Sequence, residues 1–244
     1  IVSAEYDSDT IAWYENDGAA NPSFTGNDIA TSADGARDVH VADMDNDGDL
    51  DIVSASSNDN KIVWYENDGL TNPTFSASTI ATTAQGATDV SLADMDSDGD
   101  IDIVSSSFQD DTIAWYENNG AADPTWTASN IATSADGASS IFLADMDSDG
   151  DIDILSASQL DDTIAWYEND GAANPTWTAS DITTSADAAD EVFAADIDGD
   201  GDLDILSASQ SDNTIAWYEN DGAANPTWIS SNIDNTRDNA RHAL

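Results

Sequence analysis

A nine-residue loop of the form D-x-D-x-D-G-D-x-D recurs four times, beginning at Asp43, Asp94, Asp145 and Asp196, each start 51 residues after the last. A fixed period of this length marks a repeat protein, in which each unit buries its apolar surface against its neighbours. In the first copy Asp43, Asp45, Asp47 and Asp51 place carboxylates around one point, Gly48 allows the sharp turn that lets them converge, and Asp49 offers its backbone carbonyl. The same positions are Asp94, Asp96, Asp98, Asp100 and Asp102 in the second copy, and Asp145, Asp147, Asp149, Asp151 and Asp153 in the third. In the fourth they are Asp196, Asp198, Asp200, Asp202 and Asp204.

Carboxylates crowded in this way repel one another unless a cation joins them. All-oxygen donors without His or Cys favour calcium over zinc or copper, and the number of donors favours calcium over magnesium. Four Ca2+ sites are therefore expected, against the plainer alternative of acidic surface turns without metal. An EF-hand, which also opens D-x-D-x-D-G, is rejected. It needs Glu at position 12 and flanking helices, whereas position 12 is Ser54, Ser105, Ser156 and Ser207, inside segments that read as strand.

A second periodic feature, W-Y-E-N, occurs five times, at Trp13, Trp64, Trp115, Trp166 and Trp217. Repeats that read as strands and turns point to propeller blades rather than to a helical solenoid. In the unit 37–87, strands are expected at Arg37 to Ala42, Ile52 to Ala55, Lys61 to Glu66 and Thr74 to Ala81, with turns at 57–60 and at Asn67-Asp68-Gly69. Further blades are expected at 88–138, 139–189 and 190–236, with a closing blade made from 1–36 and 237–244. Ile1 aligns with Ile52 and Leu244 with His40, so the segment 239–244 is expected to pair beside Ile1 to Ala4. The expected fold is all-β, a single five-bladed β-propeller of four-stranded antiparallel blades closed by strands from both termini, which leaves no long free edge. The alternative is a piece of a longer array or of a larger propeller.

Charge limits the partners. Fifty acidic residues against four basic ones give a formal charge of −46, and four calcium ions would bring it to about −38. Such a surface repels nucleic acid and anionic membrane, and no apolar run approaches a membrane span. Calcium loops that load at the concentrations found outside cells favour an extracellular or cell-surface setting. The aromatic residues supply inter-blade packing. Phe24, Phe75, Trp126, Trp177 and Trp228, each at the start of an outer strand, either pack in this way or present repeated glycan-binding faces.

With these residues in view, the chain resembles the FG-GAP and VCBS repeat family of secreted β-propellers, which includes the calcium-binding blades of integrin α-subunits. In that family the D-x-[DN]-x-D-G-x-x-D loop joins the first and second strands of a blade and holds calcium, which corresponds to Asp43 through Asp51 and the three later copies. The resemblance implies a secreted or surface interaction module, often the adhesive or ligand-binding part of something larger. Integrin-like propellers usually have seven blades, and the F-G…G-A-P signature is absent in literal form.

No catalytic arrangement is legible. His40 and His242 are the only histidines, Cys is absent, and no G-x-S-x-G elbow occurs. The expected function is a calcium-stabilised binding or adhesion module, not an enzyme, with a protein or glycan ligand at a cell surface or matrix. The alternatives are a lectin using the repeated aromatics and a structural subunit of a surface layer or filament, a homo-oligomer or part of a larger assembly.

Overall fold

The computed structural model describes residues 1–236 and 239–241. Each run that alternates apolar with small or polar residues forms a strand, and each cluster of Asn, Asp and Gly ends one. The first sheet contains β1 (Val2–Glu5), β2 (Thr10–Asn16) and β3 (Phe24–Ala30); the second contains β4 (Ala36–Ala42), β5 (Asp51–Ser56), β6 (Lys61–Asn67) and β7 (Phe75–Ala81). The third holds β8 (Ala87–Ala93), β9 (Asp102–Ser107), β10 (Thr112–Asn118) and β11 (Trp126–Ala132). The fourth holds β12 (Ala138–Ala144), β13 (Asp153–Ser158), β14 (Thr163–Asn169) and β15 (Trp177–Thr183). The fifth holds β16 (Ala189–Ala195), β17 (Asp204–Ser209), β18 (Thr214–Asn220) and β19 (Trp228–Asp234). Strands follow chain order within every sheet and pair antiparallel, as in β4-β5-β6-β7.

Neighbouring sheets meet chiefly through β4, β8, β12 and β16, with β1 beside β4, so these strands are innermost and β7, β11, β15 and β19 outermost. The five sheets are the blades of a β-propeller. Among the described residues the first blade comprises β1, β2 and β3. Its expected inner strand includes 242–244, which, with 237 and 238, lie outside the described residues. The described part of that segment follows the repeat. Asn239 N donates to Asn213 Oδ1 at 2.8 Å as Gly86 N donates to Asn60 Oδ1 at 2.9 Å, and Ala240 is buried. Ala36, expected in the closing blade, belongs to β4 instead.

Burial is deepest on the inner-middle strands of a blade and falls toward both the axial face and the rim. All six residues of β5 are buried, whereas the middle of β7 is exposed. Because alternate side chains leave opposite faces of a strand, each blade feeds two interfaces. Val53 and Trp64 pack forward with Ile103, Ala114 and Tyr116 of the third blade. Ile52, Val63 and Tyr65 pack backward with Ile11 of the first. The core is thus a series of inter-blade layers, and W-Y-E-N serves both sides, Trp toward the next blade and Tyr toward the preceding one.

Candidate metal-binding loops

Each acidic loop joins the innermost strand of a blade to the second, and in the first copy the two strands close on the pair Ala42 and Asp51. Two left-handed residues shape the bend, Asn46 at φ 60° and Gly48 at φ 98°. Position 6 is glycine for its backbone conformation rather than for space, since nothing lies near where a Cβ would project.

The bend turns backbone amides onto the carboxylates. Asp47 N and Gly48 N donate to Asp43 Oδ1 and Oδ2 at 3.1 and 3.0 Å, and Asp49 N donates to Asp47 Oδ1 at 2.9 Å. The other loops repeat this pattern, with Gly99 N, Gly150 N and Gly201 N on the position 1 carboxylate. In the first, third and fourth loops one oxygen from each of positions 1, 3 and 5 falls within 4.8 Å of the others. In the second loop Asp94, Asp96 and Asp102 form such a trio. Burial, with neighbouring carboxylates adding to it, raises the pKa of Asp96 and Asp147. These are shells of hard oxygen donors from which bound charge would remove repulsion.

Positions 7 and 9 have additional structural roles. The side chain of Asp49 lies against Gly69 of the N-D-G turn, where φ is +65° and a Cβ would collide with its Oδ2. The first two loops are also joined directly, Asn46 Nδ2 donating to Asp100 Oδ1 at 2.7 Å. Position 9 opens the second strand and is buried. Asp102 accepts from Met95 N at 3.1 Å and from Asn118 N at 2.7 Å, so one carboxylate ties its loop to the third strand. Burial pushes Asp51 up to about 6 and Asp102 and Asp153 up to about 7, against the opposing pull of these amides.

The Asn of W-Y-E-N is the residue that strand patterning misses. Asn118 Nδ2 donates to Met44 O, in the loop of the preceding blade, at 2.8 Å, and to Ile101 O in its own loop at 3.0 Å. Asn169 and Asn220 repeat both bonds with Met95 and Ile152, and with Met146 and Leu203. Its recurrence at the end of every third strand was the available signal, but its partner lies 74 residues away. Asn118→Ala should cost about 1–3 kcal/mol by leaving two carbonyls short of a donor. Denaturant melts of the variant would check this, and a loss under about 0.5 kcal/mol would deny the bridge any importance.

The five outer aromatics differ in exposure. Trp126 meets Trp64 edge-on at 6.4 Å and Trp228 meets Trp166 at the same distance, each across a blade interface. Phe75 and Trp177 also pack on inter-blade layers, while Phe24 on the first blade is 46% exposed.

The pattern of the FG-GAP-like repeat matches residues 1–54, 44–105, 94–156, 145–207 and 196–242, overlapping segments that together span nearly the whole chain. The chain belongs to the FG-GAP-like repeat family. Among solved structures, a protein from Lactobacillus plantarum superimposes with a TM-score of 0.67 at 15% identity, over 98% of this chain and 69% of that one. Virginiamycin B lyase from Staphylococcus aureus gives 0.62 at 10% identity, over 96% and 70%. The V. cholerae biofilm matrix protein Bap1 gives 0.52 at 19% identity, over 91% of this chain and 35% of its own. At these identities the likeness is one of fold. No curated protein matches the sequence.

Proposed function

We propose that this FG-GAP-repeat propeller is a calcium-stabilised extracellular binding and adhesion module without catalysis, its four loops each holding one Ca2+ and its ligand a protein or glycan of a cell surface or matrix. The observation that carries the reading is the convergence of carboxylates in four loops whose own amides already hold them in place. Such preorganisation lowers the ordering cost of binding. Affinities of about 10⁻⁴–10⁻³ M, typical of extracellular calcium modules, would keep the loops loaded outside a cell and empty within it. The family's usual occurrence in secreted proteins and the charge of −46 support the same setting. Among the described residues no helix is long and apolar enough to cross a membrane. Calorimetric titration with calcium tests the reading, with four equivalents expected. Absence of heat at millimolar calcium would sink it.

A glycan-binding reading has one observation of its own. Between the first and second blades a groove of about 420 Å³ is lined by Trp13, Phe75, Glu15, Asn27 and Asp28. It offers aromatic surface beside hydrogen-bonding groups, the combination that sugars use. A glycan panel screened with the wild type and with Phe75→Ala separates the readings, since saccharide binding that the variant abolishes while folded would identify a lectin.

A further inference from the structure

The widest chemical differences among the repeats gather in one place. The strand T-I-A-W-Y-E-N is identical at Thr10, Thr112, Thr163 and Thr214. On the innermost strands, by contrast, His40 is replaced in later blades by Ser91, Phe142 and Phe193, and Asp38, kept as Asp89 in the third blade, by Ser140 and Glu191 in the fourth and fifth. All of these positions line an axial channel of about 800 Å³. Where the fold alone sets the residue the copies agree; around the channel they diverge, which breaks the repeat symmetry there and makes one side unlike the rest.

On that side two carboxylates and an imidazole come together from two blades. Asp38 Oδ2 accepts from Val90 N at 3.2 Å, and Asp89 Oδ2 accepts from Ile141 N at 2.9 Å, so each carboxylate is anchored by the edge of the next blade. His40 Nε2 lies 3.5 Å from Asp38 Oδ2, and one donor atom from each of Asp38, His40 and Asp89 falls within 4.8 Å of the other two. The carboxyl of Asp89 is strongly desolvated and faces that of Asp38. Arg37, the adjacent cation on the strand, is turned to stack on the Tyr6 ring at 4.6 Å and to reach Ser57 Oγ. Carboxylates brought together with no Lys or Arg paired to them among the described residues are the arrangement that a metal relieves, and the nitrogen donor shifts preference away from calcium toward borderline ions.

We propose that the axial channel carries one divalent cation of the zinc and cobalt class on Asp38, His40 and Asp89, separate from the loop sites. Three protein donors leave coordination positions for water or a ligand oxygen in the channel. The backbone amides on Asp38 and Asp89 supply the orienting hydrogen bonds that such a site requires.

Cobalt is the probe, because its visible absorption reports coordination directly. Full-length protein is saturated with calcium and titrated with Co2+. One equivalent should give a visible band that zinc displaces. His40→Ala should remove the band or weaken cobalt binding at least tenfold, while its melting temperature in calcium stays unchanged, since the His40 side chain is 45% exposed. Asp98→Asn, in a loop, should leave the band intact. No band at millimolar cobalt, a band that persists with the same affinity in His40→Ala, or one lost in Asp98→Asn would each overturn the proposal.

Discussion

Chelation of calcium at low salt is expected to lower the melting temperature by about 20–40 °C. In about 10 mM calcium, roughly one hundred times a dissociation constant of about 10⁻⁴ M, each site contributes roughly 2.7 kcal/mol, so four sites contribute about 11. A domain of this size shifts by about 2–4 °C per kcal/mol, and its whole stability is on the order of 5–15 kcal/mol. The loss is therefore comparable with everything that keeps the ring folded. Like charges left facing one another in each loop add to it, which is why low salt shows the effect best. A melting temperature unmoved by chelator in low salt would remove calcium from the account of stability.

The pH dependence of the calcium-free protein gives the same idea an independent sign. Burial raises Asp51 to about 6 and Asp102 and Asp153 to about 7, from an ordinary 3.8. Between about pH 4 and about pH 7 the folded protein thus holds protons that the unfolded chain has released, so stability without metal falls as pH rises through that window. Calcium competes with those protons and is favoured at the higher pH. The gap in melting temperature between loaded and chelated protein should widen from pH 5 to pH 8. Parallel melts at the two values measure it, and a gap that narrows would contradict the assignment.

The second large effect separates two aspartates of one loop. Asp102→Ala should cost about 3–5 kcal/mol even in chelator, because it leaves Met95 N and Asn118 N buried without an acceptor, at roughly 1–3 kcal/mol each before any packing loss. Asp98→Ala should behave oppositely. Its carboxylate is exposed and, among the described residues, accepts from Asp100 N alone, where water can substitute. The variant should weaken calcium binding at that loop while leaving the chelated protein within about 0.5 kcal/mol of wild type. Calorimetry and denaturant melts in calcium and in chelator distinguish the two. Equal losses for both variants in chelator would mean that position 9 has no structural role of its own.

Most of the strand plan was legible from local pattern. Expected strands at 37–42, 52–55, 61–66 and 74–81 correspond to β4 at Ala36–Ala42, β5 at Asp51–Ser56, β6 at Lys61–Asn67 and β7 at Phe75–Ala81. Alternation and turn chemistry act over a few residues, so a single repeat carries their signal. The loops were legible for the same reason, because carboxylates of one short segment, at positions 1, 3 and 5 in three copies and at 1, 3 and 9 in the second, converge through its bend. Asp51 shows where this reading thins. Its place in the motif suggests a ligand like the others, yet the first residue of β5 also holds Met44 N and Asn67 N.

By itself the sequence determined the number of units, the order of strands within each and the position of every acidic loop, since all three depend on contacts within a repeat. Only the tertiary structure decided which blade each face meets and what gathers at the axis. Asn118 reaching Met44, and Asp38 and His40 meeting Asp89, are contacts between residues about 50 to 74 apart in the chain. Their existence rests on the rotation from one blade to the next. That angle is set by how Trp64, Tyr116 and their neighbours fill the layers between blades, and no local periodicity encodes it.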